Sequence, residues 1–247
     1  MTSTAGQIAI TIVPMVTGTL SIAASSTIIS KVLQSQLKLS TPYNRLLISL
    51  CVFDIIASSC HVASTLPSPR GTVDLWGAIG NETTCQIQGF LFLFSLVSTP
   101  FCNLALCIYF LCVIRYSMTD VKFRDTLEPY LLGFPILYGL GTAIYTLSIG
   151  YINPATTMCW IESTNPKGDD FSQRLAWIIN GGPILLIFLS VVGIMCAIAW
   201  SVYRQEKTME RYRFQLNSGL ERSPTNMLSS RSQANIQRSR NRVKAVQ

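Results

Sequence analysis

Asp54, Ser58, His61 and Thr65 recur at i, i+4, i+7 and i+11 through an otherwise apolar segment, which places them on one stripe of a helix. An ionised carboxylate at the centre of a bilayer costs a few kcal/mol, so the stripe must turn toward a protein interior. Two chemistries fit it: a satisfied hydrogen bond between helices, or an ion or proton site that biases helix positions. Ser26, at the end of Ala-Ala-Ser-Ser in the preceding apolar run, is a candidate hydroxyl partner for Asp54. Asn103, in the next run along, completes a candidate ligand or ion pocket of Asp54, Ser26, Ser58, His61 and Asn103. Catalysis finds no support in the residue types. There is one histidine and no His/Glu motif. Cys102, Cys107 and Cys112, five apart, rotate around a helix instead of sharing a face. Neither an enzyme, a cofactor nor a metal site is expected.

The elements that must position these residues are membrane-length. Of 247 residues, 49% are hydrophobic and 13% charged, too apolar for an ordinary soluble domain. The apolar residues come in five runs, at 8–33, 45–66, 86–114, 129–151 and 174–203, each about the 20 residues a bilayer demands or longer. The first run has no basic leader and no clean small-residue cleavage site, so it reads as a retained span. The third is long and polar, with Gln86, Gln88, Ser95, Ser98, Thr99 and Asn103, and Pro100 is placed to kink it. From Cys85 to Arg115 is roughly 45 Å of helix, more than the hydrocarbon core, so it must tilt, kink or protrude. Asn180-Gly-Gly-Pro183 predicts a local break in the fifth. Residues 1–203 are therefore an all-α bundle of five transmembrane helices. Residues 204–247 are a basic tail, with 204–214 extending the fifth helix and the remainder disordered.

Charge orients the bundle. Residues 1–203 carry nine Lys/Arg and nine Asp/Glu, while the tail carries ten Lys/Arg against three Glu, the whole net charge of +7. Lys31, Lys38, Arg45, Arg115, Lys122 and Arg124 flank the spans on one side, and Arg70, Lys167 and Arg174 lie opposite among five acids. Basic flanks stay in the cytoplasm, so the N-terminus is expected outside and the tail inside. The tail would favour anionic inner-leaflet lipid, and phosphorylation of its serines would weaken that attraction. Its tether to a membrane argues against nucleic acid. Among eight cysteines, Cys85 and Cys159 fall at outer positions in an oxidising compartment. They are either bridged, closing a long loop, or two unpaired loop thiols. Asn81-Glu-Thr83 is a glycosylation acceptor sequence on the same side.

Leu39-Ser-Thr-Pro-Tyr-Asn44, followed by Leu47, Leu50 and Asp54, resembles the first inner loop and second helix of rhodopsin-like G-protein-coupled receptors. Trp76, Gly77 and Cys85-Gln-Ile-Gln-Gly89 are similar to the approach to their third helix, and Cys159-Trp160 to the loop cysteine that pairs with it. The Cys-Trp pair is also similar to the secretin-like and slime-mould cAMP-receptor branches. Ile114-Arg115-Tyr116 resembles the triplet closing the third helix, and Pro183 the fifth-helix proline. Ser26 stands where the family has an Asn, Ile114 where it has an acid, and no Trp lies in the fourth span.

The resemblance implies an incomplete seven-helix bundle, a receptor fragment lacking helices six and seven. It implies a Cys85–Cys159 disulfide, Arg115 and Tyr116 facing a heterotrimeric G protein, an extracellular ligand, and a multi-pass place in the plasma membrane. The competing function is a small transporter or channel subunit using the polar stripe of the second helix.

Overall fold

The computed structural model describes residues 4–72, 75–155, 157–162 and 170–221. Its elements run α1 (Thr4–Gln34), α2 (Pro42–Ala63), α3 (Glu82–Tyr116), α4 (Asp120–Thr126), α5 (Glu128–Ser148), β1 (Ile152–Pro154), β2 (Cys159–Ile161), α6 (Asp170–Ala176), a π-turn (Trp177–Gly181) and α7 (Gly182–Glu221). Five helical stretches among the described residues are long and apolar enough to cross a membrane. They overlap the five apolar runs, because a continuous helix of that length satisfies its own backbone polar groups in lipid. This is a multi-pass membrane protein.

The described residues up to 198 form one compact unit. Within it α1 packs on α2, α2 on α3 and α3 on α5, so α3 is the central element. Local chemistry starts the helices where the chain needs them. Thr41 caps α2 by accepting from the Asn44 amide, with Pro42 in the first turn. Asn81 caps α3: its Oδ1 accepts from the Thr84 amide at 2.9 Å, while Thr84 Oγ1 accepts from the Asn81 amide at 2.8 Å. Pro100 lies inside α3 without ending it.

Two larger cores hold the unit, one at each end, and a smaller third cluster joins Cys60, Phe92 and Met158. Cys85, Leu93, Ala143, Ile152, Cys159 and Ile179 belong to the first, at the disulfide end. Leu46, Ala105, Leu106, Tyr109 and Phe123 make the second, at the Arg45 end. The described residues from 199 onward form a separate unit. In it the Arg204 guanidinium lies 5.4 Å from the Trp200 ring, a cation–π contact.

Four features depart from the sequence reading. A hairpin of β1 and β2 occupies the loop after α5, pairing Ile152 with Ile161 and Pro154 with Cys159. A seven-residue helix, α4, fills the loop before α5. The expected break at 180–183 is instead a π-turn just before Gly182, a wider turn that keeps the helix continuous. The Ile179 carbonyl it displaces accepts from the Tyr138 hydroxyl at 3.4 Å. Helix α7 extends through Glu221, beyond the few turns expected past residue 203. The disorder expected of the remaining tail lies outside the described residues.

Candidate functional site

The stripe on α2 faces α1. Gly18, Ser21 and Ser25 share one face of α1 at i, i+3 and i+7. At Gly18 a Cβ would stand 2.8 Å from the Ser58 carbonyl oxygen, so only glycine lets the two helices approach this closely. That approach delivers two hydroxyls to one carboxylate oxygen. Ser21 Oγ donates to Asp54 Oδ2 at 2.7 Å and Ser25 Oγ donates to the same atom at 2.6 Å. Hydrogen bonds to an ionised acceptor are short and strong, and in a low-dielectric interior they offset much of the cost of the charge.

Ser26 is not the partner expected. It points away on the exposed side of α1, while its neighbour Ser25 is buried against Asp54. Asn103 also departs from the expected pocket. It lies on an exposed face of α3, whereas the adjacent Cys102 turns inward to Ser49 Oγ at 3.6 Å. Ser58 is buried under α1, and His61 reaches past it to α3, its ring edge-on to Phe92 at 5.1 Å. Thr65, just beyond the helix, donates to the Trp76 carbonyl at 2.8 Å.

Above His61 the β1–β2 hairpin is fastened to α3 by three devices. The first is covalent: Cys85 and Cys159 are bridged, their Cα atoms 5.4 Å apart, so the bridged alternative is the correct one. The second is Gln88, which neither composition nor resemblance singled out as a site residue. Its Nε2 donates to the carbonyls of Cys60 at 3.1 Å and Ser64 at 2.7 Å, and its Oε1 accepts from the Cys159 amide at 3.3 Å. One buried amide thus joins the end of α2, the third helix and the hairpin, with its hydrogen-bonding capacity used on three backbone groups. The third is Gly89, where a Cβ would collide with Ile152 and sit 3.3 Å from the Cys159 carbonyl. The Trp160 ring then stands 5.3 Å from Phe92, edge-on. His61, Phe92 and Trp160 make an aromatic tier beneath the hairpin.

At the opposite end Arg115 and Tyr116 close α3 on exposed positions. Arg45 pairs with Glu128 through both carboxylate oxygens. Glu128 carried no role in the sequence reading, because its partner lies 83 positions away.

No protein-family model matches this sequence, and no curated relative matches it. Among solved structures, squid rhodopsin matches with a TM-score of 0.60 at 15% identity, over 85% of this chain and 56% of the rhodopsin chain. The bundle is of the rhodopsin fold, and the chain spans little more than half the length of that neighbour.

Proposed function

We propose that this protein is a G-protein-coupled-receptor-like membrane protein of transmembrane signalling, its N-terminus outside the cell and its tail inside. The observation that carries this reading is the third helix tied by Cys85–Cys159 to a hairpin, within a bundle of rhodopsin fold. An extracellular ligand binds among the second, third and fifth spans, beneath the hairpin and against His61, Phe92 and Trp160. It works by binding one helix arrangement better than another and so shifting the population. Arg115 and Tyr116 face the heterotrimeric G protein, and the basic tail lies on anionic lipid of the plasma membrane. Asn81 carries glycan on Nδ2, which leaves its Oδ1 free to cap α3.

The transporter alternative gains nothing from the geometry. Asp54 is engaged by two serines and Asn103 is turned to an exposed face, so the expected polar path is not assembled.

The test is co-purification of the chain in nanodiscs with purified GDP-bound heterotrimers, together with surface labelling of a tag at Gln247. Association that Arg115→Ala abolishes, with the tag hidden in intact cells, is the expected result. A tag labelled from outside, or no association with any heterotrimer class, overturns the reading.

A further inference from the structure

At the Arg45 end a single guanidinium holds separate pieces of chain together. Nε and Nη2 bond the two carboxylate oxygens of Glu128, the second at 2.6 Å, the forked pairing that arginine's planar donors favour. Nη1 turns the other way and donates to the carbonyls of Leu39 at 2.6 Å and Ser40 at 3.2 Å, in the loop between α1 and α2. Asn44, one residue earlier, donates from Nδ2 to the Lys38 carbonyl. Glu128 opens α5 and is 4% exposed. Its charge is thus met by Arg45 on one side and by the positive end of its own helix on the other.

The second segment at this end is tethered close by. The Tyr109 hydroxyl donates to Asp120 Oδ1 at 3.1 Å, and Phe123 is fully buried with its ring 5.1 Å from that of Tyr109. This fastens α4 to α3, one residue before α5 begins. Yet the outward side chains are not those of a core. Leu37, Leu39 and Val121 are exposed, and Lys38, Lys122 and Arg124 are exposed beside them in sequence. A seven-residue loop with so little buried apolar surface belongs to the low-stability end of a fold unless something pins it.

We infer that Arg45 and Glu128 are a positioning pair, which presents the 35–41 loop and the α4–α5 segment as one preorganised docking platform. The identity of the partner rests on the receptor reading above: a heterotrimeric G protein that contacts both segments. Preorganisation matters because ordering a loop at the moment of binding subtracts from affinity.

Amide exchange of the full chain in nanodiscs tests the coupling without any partner. Glu128→Gln keeps the side-chain shape and removes the charge. It is expected to speed exchange across residues 35–41, far away in sequence, while the β1–β2 hairpin stays protected as the control for folding. Arg45→Lys, whose single ammonium cannot serve Glu128 and both loop carbonyls together, also compromises the direct bonds to the Leu39 and Ser40 carbonyls and is expected to give a larger change in the same residues. Co-purification with the GDP-bound heterotrimer should weaken roughly tenfold in Glu128→Gln. Unchanged exchange at 35–41 in both variants overturns the inference. So does loosened exchange with heterotrimer binding equal to the unsubstituted protein. If the exchange responds but the unsubstituted chain binds no heterotrimer, the pair stands as the pin of these loops and the receptor reading fails.

Discussion

Ser25 Oγ donates to Asp54 Oδ2 at 2.6 Å, from the position adjacent to the exposed Ser26. Along a helix, successive side chains differ by about 100° around the axis. Two neighbouring serines therefore have opposite fates, and this supplies a matched pair of substitutions.

Ser26→Ala is expected to leave thermal stability in detergent unchanged. Ser21→Ala combined with Ser25→Ala strips the carboxylate of both donors, and hydrogen bonds to charged groups contribute about 1.5–3 kcal/mol each. The double variant should therefore melt well below the unsubstituted protein. Asp54→Asn added to it should recover part of the loss, because a neutral amide without partners costs less than a charge. Equal melting of Ser26→Ala and the Ser21/Ser25 double variant would refute the arrangement.

Gln88→Leu takes the Gln88 amide from the Ser64 carbonyl and the Cys159 amide, while the Cys60 carbonyl keeps the Ser64 amide at 2.9 Å. Unsatisfied buried groups cost about 1–3 kcal/mol apiece. The disulfide limits the damage by keeping the hairpin near α3. Reduction of the bridge in Gln88→Leu is accordingly expected to lower the melting temperature more than the two separate effects add up to. Simple additivity would show that the bridge and the amide act independently.

Gly89→Val is expected to dislodge the hairpin. The new side chain would occupy the space of Ile152 and press on the Cys159 carbonyl, and backbone contact of that kind cannot be relieved by a rotamer change. The reading is faster amide exchange in residues 151–161, with α1 and α2 still protected. At Gly141 an added Cβ meets nothing within 4 Å, so Gly141→Ala should be silent and serves as the control.

Asn180 is 6% exposed, and its Oδ1 has no hydrogen-bond partner among the described residues. Replacement by Leu, which has the same branched skeleton of heavy atoms in a somewhat larger side chain, removes a buried acceptor that has no partner. Asn180→Leu should raise the melting temperature, against the usual direction for a buried substitution. A lower melting temperature would mean that the oxygen is bonded in the folded protein.

What could be read before folding was governed by the bilayer. Hydrocarbon thickness sets a minimum length of apolar helix, and that length is written continuously along the chain, so the number and order of five helices long enough to span were legible in it. Cys85 and Cys159 were legible for a related reason: of the cysteines, these two sat beyond the ends of the predicted spans. Short elements left no such trace. Helix α4 and the three-residue strands are held by Phe123 against Tyr109 and by Gln88 against Cys159, contacts that only the assembled bundle creates.

The composition of each helix announced polar side chains, but not the rotation at which each helix would be set. Asp54 was recognisable as a charge in need of partners. Its choice of Ser21 and Ser25 over Ser26 was made by Gly18, which fixes how α1 lies on α2. Arg45 and Glu128 show the same division across 83 positions. A sequence states which groups demand compensation, because burial energetics follow residue type. Packing decides who provides it, because that depends on a few ångströms and a few tens of degrees between neighbouring helices.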